Sequence, residues 1–386
     1  MSSTCPSSRW GHVAVAIDEK MLLWGGKATR EATGEKFYCS SDRIECLNLE
    51  TSEWSRKRAI SKIADSDAPH PCVHAQVGVV HNRDIYQFGG VYNSSCDGLR
   101  LYFDDIHKLD GSTLEWECIR PSDQSTPTGR RNHGMCVLGK KGDECLVVMG
   151  GFGTETPEGS HFIPYSKYPD RGWNNDVWLF SLRKRIWIPA RCTGENPQPR
   201  SAHSFTAIDT NRAVLIGGSD GTRLFNDAFV FQLSSMEWIQ VHTDGPHRLL
   251  PLAGHSTTVA HISGLGPSAI VLWGETDDNA VVSFAQLILI DSLQCYKVAL
   301  AHTTIRTAFQ STCSLSRDDV LFLLRFGGTN DFKTWKPVAL LDILKFDLKS
   351  DGLKSVSGTS SSRAPISLEL ESCPLPCQIA DPHDAE

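Results

Sequence analysis

Fourteen histidines and thirteen cysteines are the side chains of this 386-residue chain best suited to hold a metal ion or activate a nucleophile. Their positions decide whether they do either. His12, His133 and His203 each follow an arginine as RxxH, the arginines being Arg9, Arg130 and Arg200. His74 and His255 keep the histidine of this pattern alone, while Arg306 keeps the arginine and puts Phe309 in the histidine position. A histidine that recurs at one place in a repeat reads as a hydrogen-bonding part of a scaffold rather than as a ligand. The cysteines are odd in number and follow no framework spacing, so they read as reduced, buried thiols. Cys373 and Cys377 in CPLPC form a close pair, with no second pair or histidine at zinc-like spacing. No phosphate loop, nucleophile elbow or HExxH segment occurs. The expectation is a chain with no catalytic residue, no metal and no cofactor.

The elements that carry these residues are written in a repeated word. Apolar runs MLLW, IYQF, LVVM, AVLI and LLRF end in Gly25-Gly26, Gly89-Gly90, Gly150-Gly151, Gly217-Gly218 and Gly327-Gly328, and IVLW ends in Trp273-Gly274-Glu275 in the fifth copy. Asp105 to Trp116, Asp176 to Trp187 and Asp227 to Trp238 are each eleven residues apart, Asp42 to Trp54 is twelve, and Ala285 to Tyr296 keeps the spacing without the Asp. The residues between alternate as two strands about a tight turn. Six units follow, each of about four strands and too small to bury both faces alone, so neighbours must stack. Their ranges are roughly 9–60, 70–122, 128–192, 198–244, 250–300 and 304–356, forming one domain over 1–356 with a tail at 357–386.

Composition narrows the class. The chain is 40% hydrophobic with 31 Gly and 10 Trp, enough for a large core. No stretch approaches the roughly 20 apolar residues of a membrane span. The start MSSTCPSSRW lacks the features of a signal peptide, which points to cytoplasm or nucleus. A net charge of −7 argues against a general nucleic-acid surface.

Four strands per unit, a glycine pair and a late Trp or Tyr resemble the kelch repeat, and six such units resemble a closed, six-bladed kelch β-propeller. The opening CPSSRWGHVAVAIDEKMLLWGG, the segment PDRGWNNDVWLF and PQPRSAHSFTAI carry a narrower resemblance, to the family of kelch domain-containing proteins 1 and 2. That resemblance implies the substrate receptor of a cullin-RING ubiquitin ligase, which binds the C-terminal peptide of its targets (a C-degron) in a propeller pocket and contacts elongin B and C through a C-terminal box. The other reading is a kelch scaffold that binds a folded partner without ligase function.

Recognition is expected in the loops after the glycine pairs. These span 16, 15, 25, 9 and 14 residues in units one, two, three, four and six, counted from the second glycine to the Asp. The longest carries Tyr165, Tyr168, Arg171 and Trp173, the raw material of a peptide-binding hot spot, and the resemblance places Trp173 on the pocket wall. In unit four, Ser219 and Leu224 stand where diglycine-binding relatives have arginines, and Arg223 is one residue off that register. It is either a substitute carboxylate anchor or a solvated loop residue. Ala253-Gly254 replaces a Ser-Trp pair in unit five. After a Ser- and Gly-rich linker, SLELESC resembles the start of an elongin-binding box, with Leu368 and Cys373 at adaptor-contacting places, but Pro374 and Pro376 stop a helix there. Ring closure would take a last strand from Thr4–Ser7 or Leu353–Val356, the register favouring the latter.

Overall fold

The computed structural model describes residues 6–30, 33–62, 67–80, 83–94, 99–122, 125–155, 161–242, 248–276, 284–292, 294–299, 308–317, 320–329 and 341–347. Leu368, Cys373 and both candidate closing strands lie outside the described residues apart from Pro6 and Ser7.

All regular structure among the described residues is β. The first unit is a four-stranded antiparallel sheet of Val13–Ile17, Lys20–Trp24, Arg43–Asn48 and Glu53–Arg58. Equivalent sheets follow in each later unit, with first strands Gln76–Val80, Gly134–Leu138, Ser204–Ala207, Ser256–Ile262 and Ser311–Arg317. The sixth has three described strands, ending in Leu341–Asp347. The chain leaving a unit covers the next outer edge: Ile60–Ser61 runs parallel to Glu115 and Trp116, and Thr193–Gly194 to Glu237 and Trp238. Covered edges cannot recruit strands from other molecules.

Each apolar core lies between two successive sheets. Trp24, Ile44, Ile85 and Trp116 join units one and two, while Phe88, Val148, Phe180 and Trp187 join two and three. Three further cores link the later pairs. A sixth packs Trp54, Leu23 and Leu47 of unit one against Leu324 and Phe326 of unit six. The late Trp of the repeat is thus an inter-sheet wedge, its indole edge-on to the neighbour: Trp54 to Phe326 at 5.7 Å and Trp187 to Phe88 at 5.2 Å.

The glycine pairs carry the sheet-to-sheet hydrogen bonds. The second glycine donates its N–H to the next unit: Gly26 to Cys72, Gly90 to Arg130, Gly151 to Arg200, Gly218 to Leu252, and Gly328 back to Arg9. Both glycines have positive φ, +61° and +103° in unit three, and a Cβ on Gly151 would stand 2.7 Å from the Cβ of His133. Two left-handed residues and that contact leave room only for glycine. In unit five Trp273 takes the first of these positions at φ 55°.

A second set of hydrogen bonds circles the axis. His74 donates its backbone N–H to Gly11, Asn132 to His74, Ala202 to Asn132, Gly254 to Ala202, Phe309 to Gly254, and Gly11 to Phe309, at 2.8 to 3.3 Å. The series returns to its first residue. It also corrects the alignment in two units. His74 and Phe309 occupy the axial position of Gly11, so Ala75 and Gln310, not His74 and Phe309, fill the histidine position there. Unit two has no arginine to fix its register, and Cys72 stands in the arginine position.

Candidate functional site

The repeated arginines are structural. Arg130, fully buried, makes two hydrogen bonds to Asp176 at 2.7 and 2.8 Å and one to the Gly150 carbonyl at 2.9 Å. Arg200 holds Asp227 and the Gly217 carbonyl in the same way. In these two units the guanidinium ties the repeat's Asp to the bend after its glycine-ended strand, while Arg9 of unit one reaches the Gly25 carbonyl and lies 3.6 Å from Glu45. His12, His133, His203 and His255 are buried beside the glycines of the preceding unit. Burial keeps them neutral: it pulls His203 down to about 3, helped by Arg200, and His255 to about 4, while His12 and His133 fall well below the ordinary value. Among the described residues no three metal-ligating side chains come together. A cavity of about 580 Å³ runs along the first strands of the units, with His74 and Phe309 at one end, their rings 5.4 Å apart.

The glycine-pair end of the sheets carries the candidate site. The 25-residue segment of unit three, read as a loop from its Gly and Pro content, is largely β-structure. The strands Cys145–Thr154 and Tyr168–Ser181 run on past the glycines, with a register shift between Met149 and Gly151, and Phe162–Tyr165 adds a third strand. Cross-strand pairing sets Trp173 opposite Phe152, their rings 5.0 Å apart, and Tyr165 closes the cluster at 6.0 Å from Trp173. Tyr168 pairs with Tyr165 where the extension turns.

Trp173 reaches unit four. Its indole N–H donates to Ser201 Oγ at 3.2 Å, and its six-membered ring lies on Gly221, where a Cβ would collide with it. Gly221 belongs to the loop of Arg223, so the two predicted residues share one surface. Arg223 nevertheless turns to its own loop. It is 63% exposed, pairs with Asp220 at 3.2 Å and lies over the Phe225 ring at 4.9 Å. Asp220 is buried and its carboxyl is held low by hydrogen bonds from Thr222 and the Arg223 backbone. Arg171 points the other way, toward unit two, its guanidinium 5.1 Å from the Tyr102 ring and 3.5 Å from Asp170.

The residue that sequence reasoning missed is Arg131. It stands between Arg130 and His133 in the RRNH segment, at a position held elsewhere by Trp10, Val73, Ser201, Ala253 and Ala308, all paired with the residue after the glycine pair or, in unit five, after Trp273-Gly274. Its guanidinium lies 5.3 Å from the centre of the Phe152 ring and close enough to Tyr102 for that residue to act on its charge, while its Nε is buried without a hydrogen-bond partner. Burial pulls its pKa down from the ordinary arginine value. Arg131 also depresses His74, which puts it beside the axis. No ion pair links it to a carboxylate among the described residues. The signal was available: one of six equivalent positions carries a cation.

Charge divides across this end of the molecule. Arg131, Arg171 and Lys27 lie in units one and three, with Tyr38, Tyr92, Tyr102, Phe152, Tyr165 and Trp173 around them. In unit five, Glu275 pairs with Ala253 through both backbone hydrogen bonds, and burial raises its carboxyl pKa. An anion is therefore favoured near unit three and disfavoured near unit five.

Comparison with known proteins agrees with this architecture. Residues 1–151 match the KLHDC2/KLHL20/DRC7 Kelch-repeats domain. Its first 151 residues thus match a kelch-repeat domain, and kelch domain-containing proteins 1 and 2 are homologues over most of the chain. It is 27% identical to kelch domain-containing protein 2 of Bos taurus over 336 residues, 84% of this chain and 76% of that protein. The human protein of that name is 29% identical over 237 residues, 59% of this chain and 54% of that one. Kelch domain-containing protein 1 of Mus musculus is 27% identical over 334 residues, 84% of this chain and 76% of the relative. Antiparallel all-β sheets are what a kelch propeller requires, and kelch repeats serve in general as protein-interaction modules.

Proposed function

We propose that the chain is a closed, six-bladed propeller whose glycine-pair face binds the C-terminal peptide of a partner protein, and that it serves as a substrate receptor of a cullin-RING ubiquitin ligase. The returning series of axial hydrogen bonds and the core between units one and six support closure. The observation that carries peptide recognition is Arg131: a half-buried guanidinium over the Phe152 ring, on whose other sides Tyr102, Trp173 and Tyr165 pack, and with no ion pair among the described residues. Burying such a cation without a counter-ion is costly, and an incoming carboxylate offsets that cost through charge-assisted hydrogen bonds. A free chain end brings the carboxylate, and the aromatic wall contacts the residues before it. Trp173, Arg171, Tyr168 and Arg223 flank the peptide in this reading. Arg131 takes the terminal carboxylate, because Arg223 is already paired and the relatives' unit-four arginines are replaced here by Ser219 and Leu224.

Adaptor binding through Leu368 and Cys373 extends the same proposal and places the protein in the cytoplasm or nucleus. Two experiments on the full chain test it: capture of purified elongin B and C, and selection from a peptide library with randomised, free C-termini. Adaptor capture with enrichment that disappears on C-terminal amidation supports it. Absence of both leaves the alternative, a scaffold that grips a folded partner through the same face.

A further inference from the structure

Beside the Arg131 site, unit one carries a second cation that has no ion pair among the described residues. Lys27 and Tyr38 are opposite each other on the paired strands Lys27–Thr29 and Lys36–Tyr38. The Lys27 ammonium lies 4.7 Å from the centre of the Tyr38 ring. The charged neighbour acting on it is Lys36, a like charge, and burial together with that repulsion lowers its pKa. No ion pair joins Lys27 to a carboxylate among the described residues. The Tyr38 hydroxyl accepts the backbone N–H of Asn93 at 2.8 Å, which leaves its own proton to donate. The Asn93 side-chain oxygen is buried and has no hydrogen-bond partner among the described residues. Tyr92 packs on Tyr38 at 4.7 Å, and Tyr38 is close enough to Arg131 to act on its charge.

An ammonium and a phenolic donor thus lie side by side next to the place assigned to the chain end. We propose that Lys27 and Tyr38 form a second subsite that takes the carboxylate of an Asp or Glu side chain shortly upstream of the partner's C-terminus. Lys27 and Tyr38 donate to the carboxylate. The inference rests on the C-terminal reading for the peptide's position, and it names what that reading leaves open, the chemistry of the preceding residues. Two cations with no ion pair among the described residues, in a chain of net charge −7, favour acidic peptide ends.

The test uses short synthetic peptides with free C-termini, identical except for Glu or Gln at each upstream position, and binding to the full chain by fluorescence anisotropy. At one position Glu is expected to bind roughly tenfold tighter than Gln. Lys27→Gln should abolish that difference and Lys27→Arg should keep it, with thermal unfolding of both variants matching the parent because Lys27 is only half-buried. Equal binding of Glu and Gln peptides to the parent overturns the inference, as does a preference that survives Lys27→Gln. A Glu preference that persists in amidated peptides upholds this subsite and removes the terminal-carboxylate reading. Dependence on a free end without a Glu preference does the reverse. If no peptide binds, both fall.

Discussion

Mild acid should unfold this protein through its histidines. His74 and His203 are pulled down to about 3 and His255 to about 4, in each case chiefly by burial, whereas an unfolded imidazole titrates near about 6.5. The folded values are depressed, so the unfolded chain takes up protons that the native state refuses. The stability these groups contribute is whole above about pH 6.5 and is lost as the pH falls from there toward 3 to 4. From pH 7 to 5 each costs about 2 kcal/mol, and three together about 5 to 6 kcal/mol, which matches the whole stability of many domains. Carboxylates held low by their partners, such as Asp105, Asp209 and Asp220, titrate below this window and do not obscure it. Urea unfolding at pH 7, 6 and 5 reads the effect directly, and His203→Gln should remove about one proton from the slope. Stability that stays level between pH 7 and 5 would refute the assignment of these histidines as buried and neutral.

Three further outcomes follow from the geometry. Asp176→Ala strands the fully buried Arg130 and should cost about 3–5 kcal/mol in urea unfolding, while replacing the exposed partner of a surface pair, as in Asp143→Ala, should cost less than about 1. Gly221→Ala sets a Cβ into the Trp173 ring at a φ of +82°; tryptophan fluorescence should shift and peptide affinity should fall with little loss of global stability. Trp187→Ala opens a cavity between units two and three and should cost about 3–5 kcal/mol in thermal or urea unfolding, without changing affinity per folded molecule.

The repeat was legible because its residues answer local demands. Paired glycines mark two consecutive left-handed positions, the eleven-residue spacing marks a hairpin with a wedge at its end, and in units three and four the arginine pairs with that hairpin's Asp. Where a unit lacked an anchor, the reading slipped. With Cys72 in place of the arginine, His74 was the remaining landmark in unit two, and it lies on the axis one residue before the histidine position. The unit-three segment was placed correctly as an insertion, but its pairing was hidden because Phe162–Tyr165 and Arg171–Asn174 are joined through residues of turn-like composition. Trp173 could be picked out by type, and its partner Gly221 could not, since contact across units leaves no trace in local spacing. Arg131 and Lys27 were concealed for a related reason: an arginine or lysine next to a repeat anchor looks like surface charge until the structure shows which carboxylates are absent.

Recognition of a free carboxyl end at Arg131 on the glycine-pair face can be measured directly. The most direct measurement takes one peptide enriched from the free-end library and compares its affinity with that of the same peptide extended by one residue, on the parent chain and on Arg131→Gln. The extension should weaken binding to the parent by at least tenfold, since it replaces a charge-assisted carboxylate contact with a neutral amide, and Arg131→Gln should weaken the free-ended peptide and leave the extended one nearly unchanged. Equal affinity of the two peptides for the parent would contradict the account and leave a face that grips its partner away from the chain end.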